Sequence, residues 1–233
     1  MASVGMLVAA IARAEGLDPA RVAMIARSLR ENGFIAMKGR GNSAATMSPT
    51  DAANLLIGVN ASPVAAGVAK LVGVYRNLQA NEVRRKTDRR PSSVLGTFGI
   101  ALEALIEAYR SGELPDQFVG KKITTETQAR FKAQELDFQI SFFRPSLGAS
   151  IRVTAVGRDL GPDLETYLAE ATPPMLFFSF RPQSRSLKIY TDRVEQTTIS
   201  RWTLRAVGRC LQKSYAVGDE SPWPPSVVDF DRL

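Results

Sequence analysis

Residues 17–47 read LDPARVAMIARSLRENGFIAMKGRGNSAATM, and this stretch decides the fold expected of the N-terminal third. Asp18 is a helix cap and Pro19 takes the first helical position, where a missing N–H costs nothing. Val22, Ile25, Ala26 and Leu29 then recur at the spacing of one helix face, and Asn32-Gly33 is a left-handed exit. Beyond Gly33 the pattern changes. Phe34, Ile35 and Met37 form a short strand candidate, Lys38 to Ser43 is a basic, glycine-rich turn, and Ala44 to Met47 returns as a second strand, the outline of a hairpin.

Upstream, Val4, Leu7, Val8 and Ile11 share a helical face closed by Gly16. Downstream, Ser48-Pro49-Thr50-Asp51 opens another helix, with Ser48 as cap and an acid in the first turn, running to about Asn60. Ser62-Pro63 repeats the start signal, and Val64, Val68, Leu71, Val72 and Tyr75 mark the inner face of the next helix.

The order helix, tight turn, helix, strand, basic tip, strand, helix resembles the winged helix-turn-helix DNA-binding domains, such as those of MarR-like transcription regulators. Leu17-Asp18-Pro19 stands at the turn, Arg21 to Leu29 at the recognition helix and Phe34 to Met47 at the wing. The resemblance implies double-stranded DNA as partner. Arg21, Arg27, Ser28 and Arg30 lie off the apolar stripe, where they would meet base edges and phosphates in the major groove. Lys38, Arg40 and Asn42 would reach a neighbouring phosphate or the minor groove.

Charge agrees with such a partner. Thirty Lys and Arg against 23 Asp and Glu give a net +7, a surplus that a polyanion selects. Arg84, Arg85, Lys86, Arg89 and Arg90 concentrate it between 81 and 93 against only Glu82 and Asp88. Two readings of this cluster stand side by side: cations tracking a phosphate backbone, or an exposed, solvated connection.

The rest of the chain predicts an α+β fold. Leu95, Phe98, Leu102, Leu105, Ile106 and Tyr109 mark a helix closed at Ser111-Gly112, and a shorter helix is expected from Thr125 to Gln134. Leu136, Phe138, Ile140 and Phe142 alternate with polar residues, and Ile151, Val153 and Ala155 continue that period as a hairpin partner. A helix is expected from Asp163 to Ala171. Leu176, Phe178 and Phe180 supply a third strand, Leu187 and Ile189 a fourth, and Ser200 caps a final helix lined by Trp202, Ala206, Val207 and Cys210. The predicted organisation is a winged-helix domain over 1–80, a basic linker over 81–93 and central helices over 94–134. An antiparallel sheet packed with a helix follows over 135–215 for self-association as a homodimer or larger homo-oligomer, then a tail over 216–233. Adjacent Phe142-Phe143 and Phe177-Phe178 must point to opposite faces of their strands, so Phe143 and Phe177 are candidates for base stacking or for a subunit interface.

Chemistry is narrowed most by an absence: the chain has no histidine and one cysteine. That excludes Ser-His and Cys-His nucleophile pairs and the zinc sites built on His or four Cys. Cys210 reads as a small buried hydrophobe. Asp159, Asp163, Glu165 and Glu170 match no metal-ligand spacing and read as a polar helix face. No catalysis, metal or cofactor is expected. The apolar stretch from Gly5 to Ala12 is too short for a membrane span and lacks the basic flank of a leader, which leads to an expectation of a cytoplasmic protein with no membrane partner. Sequence-selective binding of double-stranded DNA in transcription regulation of a phage or bacterium is the function expected. The alternative is a phage packaging or assembly component resembling a small terminase subunit.

Overall fold

The computed structural model describes residues 2–37, 46–85, 89–90, 96–115, 118, 125–132, 136–155, 176–182 and 195–212. Seven helices and six strands are found among them, a mixed α+β architecture. The local signals that start and stop the first helices operate as their chemistry dictates. In α1 (Val4–Glu15) the Ser3 side chain accepts from the Met6 amide, and Gly16 ends the helix at φ 63°. In α2 (Pro19–Glu31) Asp18 accepts from the Ala20 amide, with Pro19 behind it. Ser48 and Asp51 form a reciprocal capping box at the start of α3 (Pro49–Ala61).

Helix α3 is buried from Asp51 to Ala61. A helix apolar on every side belongs at a centre, and α3 packs against α2, against α4 (Val68–Arg76), against α5 (Phe98–Ser111) and against the sheet. Gly58 permits this crowding, since a Cβ there would lie 3.0 Å from both Ile25 and Leu29 side chains.

The sheet consists of β1 (Gln79–Arg85), β2 (Arg89–Arg90), β3 (Leu136–Arg144), β4 (Gly148–Ala155), β5 (Leu176–Arg181) and β6 (Glu195–Ile199). Its order is β2-β1-β5-β4-β3-β6, with every neighbouring pair antiparallel. Helix α6 (Thr125–Lys132) precedes β3, and α7 (Arg201–Cys210) follows β6. One face of the sheet is apolar and covered: Phe138, Ile140, Phe142, Ile151, Phe178 and Phe180 are buried beneath the helices. Phe98 of α5 meets Phe142 and Phe180 edge-on, with ring centroids 5.6 and 5.3 Å away. The Tyr75 hydroxyl donates to the Phe143 carbonyl at 2.7 Å, pinning α4 to β3. Buried apolar side chains from Ala2 to Leu211 form one cluster, so the N-terminal helices and the sheet share a core.

Several segments differ from the sequence expectation. The stretch 81–93, expected as an exposed linker, contributes 81–85 to β1 and 89–90 to β2. The reason is long-range pairing: β1 is held by β5, about a hundred residues later, in a register running from Gln79 opposite Arg181 to Arg85 opposite Leu176. No local charge pattern reports that partner. At the expected wing, the described residues 34–37 and 46–47 are in no strand. They are tied to α3 and α1 instead: the Ala36 amide donates to Asp51 at 2.8 Å, Asn54 donates to the Phe34 carbonyl at 2.6 Å, and the Met47 amide donates to the Ala2 carbonyl at 3.0 Å. Strand β6 was not expected. The candidate strand at Leu187 and Ile189, the candidate helix from Asp163 to Ala171 and the tail 216–233 lie outside the described residues. Among the described residues no helix is long and apolar enough to cross a membrane.

Candidate nucleic-acid interface and a charged cavity

The α2 residues chosen as DNA contacts are divided by the fold. Arg21, in the first turn, is turned toward α3: its Nη2 donates to the carbonyls of Val59 and Ser62, both at 3.1 Å. Ser28 donates to the Ala65 carbonyl at 3.3 Å. Arg30 is partly buried, and its Nε–H is buried with no acceptor. Arg27 is the exposed one of the set, its side chain 82% accessible and paired with Glu31 one turn along at 2.8 Å. Lys38, Arg40, Asn42 and Lys86 lie outside the described residues. Arg84 and Arg85 stand in β1, and Arg89 and Arg90 in β2.

The strand registers bring a different set together. Arg89 pairs with Arg84, Arg84 with Phe177, Phe177 with Arg152, and Arg152 with Gln139. Directly opposed residues of antiparallel strands share a face, so this row crosses five strands on one side of the sheet. It is the side away from the core, because Phe178 and Ile151, one residue along, are buried. Arg152 is exposed, and Phe177 and Phe143 are both partly accessible. The guanidinium of Arg181 stands 5.8 Å from the Phe143 ring centroid. Between these aromatic residues lies a shallow groove of about 170 Å³ with Gln139, Ser141, Ser150 and Gln196 in its walls.

A second feature shares Thr198 with that groove as a wall residue and lies where the C-terminal end of α1 and the first turn of α2 meet the ends of β3 and β6. It is a cavity of about 530 Å³ with Glu15, Arg21, Asn60, Arg144, Thr197 and Thr203 among its walls. Asn60 donates to both carboxylate oxygens of Glu15, at 3.1 and 3.3 Å. Removal from water nonetheless pushes the Glu15 carboxyl up to about 7, against the opposing pull of Asn60 and of Arg21. Arg144 approaches Glu195 at 3.5 Å. Arg21 and Arg144 each keep a buried Nε–H with no acceptor.

The sequence offered one signal for the first feature, the alternation Ile151-Arg152-Val153 that sends Arg152 to the open face. It offered none for the cavity, whose walls come from segments scattered between residues 14 and 203. Among the described residues no group of three or more Cys, Asp or Glu is placed to hold a metal ion. Comparison with protein-family models, curated proteins and solved structures finds no match to this chain.

Proposed function

We propose that this protein binds nucleic acid, with double-stranded DNA as the partner, and that the arginine-bearing open face of the sheet and its β1–β2 edge make the contact. The observation that supports this is the row Arg89, Arg84, Phe177, Arg152 set up by strand register. Neighbouring strands lie about 5 Å apart, so register sets three arginine positions and Phe177 in line across four strands, a charge that suits a polymer carrying one charge per about 1.7 Å of duplex axis. Helix α2 gives this reading less support than the helix-turn-helix outline implied, since Arg21 and Ser28 are engaged with the α3–α4 segment.

The test is fluorescence anisotropy with a short duplex over a range of salt concentrations, on the wild type and on the triple variant Arg84→Ala, Arg89→Ala, Arg152→Ala. Three lost phosphate contacts would weaken binding and reduce the slope of log affinity against log salt by up to about 3. An unchanged slope, or no wild-type binding at low salt, refutes the proposal. Phe143 and Phe177 on the same face favour a second reading, single-stranded nucleic acid stacked on a sheet. A single strand that outcompetes the duplex and loses affinity in Phe177→Ala selects it. Mass in solution then separates the roles: a dimer with a preferred site fits transcription regulation in a phage or bacterium, and a ring of many copies fits a packaging component akin to a small terminase subunit.

A further inference from the structure

The cavity between α1, α2 and the β3–β6 end of the sheet has no part in the nucleic-acid reading, and its chemistry is specific. Two guanidinium groups border it, and each holds one buried N–H that nothing accepts. A buried donor left unsatisfied costs about 1–3 kcal/mol, so a small shift of either side chain that opens its N–H to an acceptor in the cavity is favourable. The remaining bonds of these arginines fix where the groups sit. Arg21 is held by two carbonyls at the end of α3, and Arg144 by Glu195. Glu15 is the one carboxylate among the described residues that line the cavity, held from one side by Asn60. The volume, about 530 Å³, lies within the range of small-molecule sites, roughly 300–1,000 Å³, and exceeds what one inorganic anion fills.

We propose that this cavity is a binding site for a small organic oxyanion, a carboxylate or phosphate ester that also carries a hydroxyl group. Arg21 and Arg144 take the anion through N–H groups that the fold leaves unused, and Glu15 accepts from the hydroxyl. Threonine hydroxyls of β6 and α7 complete a polar wall at Thr197 and Thr203. The two guanidinium groups and the threonine residues are the donors that an oxyanion entering the cavity would meet.

The test is isothermal titration of the full chain with four probes: inorganic phosphate, citrate, adenosine monophosphate and glucose 6-phosphate. At least one organic probe is expected to bind with submillimolar affinity and at least about 10-fold more tightly than inorganic phosphate. Arg144→Met removes one charged donor and weakens that binding about 10- to 100-fold. Thr197→Phe, which fills the cavity from its β6 wall while keeping both arginines, gives the same loss if Arg144→Met fails to fold. Arg27→Ala, outside the cavity, leaves the affinity unchanged. Absence of binding by every organic probe overturns the proposal, as does binding that both cavity variants retain or an affinity no better than that for inorganic phosphate. Nucleic-acid binding measured on the same preparations keeps the two readings apart, since Arg144→Met and Thr197→Phe leave the Arg84–Arg152 row intact.

Discussion

Glu15→Gln isolates what the cavity does to the stability of the fold. In the unfolded chain the carboxyl has its ordinary value of 4.5, and in the folded protein it is about 7. The folded state therefore holds the proton more tightly. Below about pH 4.5 both states are protonated and the contribution to stability is fully present. Between about 4.5 and 7 the unfolded state ionises first, stability falls, and above about 7 the contribution is gone. The difference of about 2.5 pH units corresponds to about 3 kcal/mol at 1.36 kcal/mol per unit. Glutamine imitates the protonated group and still accepts from Asn60. The variant is expected to match the wild type near pH 4.5 and to exceed it by about 2–3 kcal/mol at pH 8. The chain has no histidine, the side chain that ordinarily titrates across this window, so the wild-type slope between pH 5 and 7 is assigned with little interference. Urea unfolding at a series of pH values measures it. Parallel curves for the two proteins would refute the burial argument.

Three further outcomes follow from the packing. Gly208→Ala places a Cβ 2.7–2.9 Å from Tyr109 Cβ, the Tyr109 carbonyl carbon and the Arg110 nitrogen; α5 and α7 must separate, and thermal unfolding should report a loss of about 1–3 kcal/mol despite the better helix propensity of alanine. Asp51→Ala removes the acceptor for the Ala36 amide, the Ser48 amide and the Ser48 hydroxyl, which is expected to lower stability by about 2–4 kcal/mol in denaturant titration. The buried Cys210 thiol is pushed up to about 11 by desolvation, so Ellman's reagent should leave it unreacted at pH 8 in the native protein and modify it promptly once the chain is unfolded.

What the sequence disclosed and what it withheld divide along the range of the interactions. Capping is local: Ser3, Asp18, Ser48, Thr97 and Ser200 each accept from an amide two or three residues ahead, and Asp18, Ser48 and Ser200 were read correctly as caps. Alternation is local as well, which is why Leu136 to Phe142 announced β3 and why Phe142 and Phe143 could be sent to opposite faces. Strand β1 is the contrary case. Its Asn81-Glu82-Val83-Arg84-Arg85 looks like a solvated connection, and only β5 makes it a strand. Strand β6 fails for a similar reason: Gln196, Thr197 and Thr198 are polar residues at the sheet edge, with Ile199 the buried one.

The same distinction explains why the candidate sites moved. Amphipathic position identified Arg21 and Ser28 as lying off the apolar stripe of α2, which is true of the isolated helix. A helix in a fold with a central neighbour such as α3, buried from Asp51 to Ala61, has more than one packed side, and the flank carrying Arg21 is closed by the carbonyls at the end of that neighbour. A charged residue off the stripe is then as well placed to hold a helix terminus, or to border a cavity, as to meet a ligand outside. Positions 84 and 89, by contrast, stand in strands, and antiparallel register sets them opposite one another and in line with Phe177 and Arg152, a placement that no local charge pattern reports.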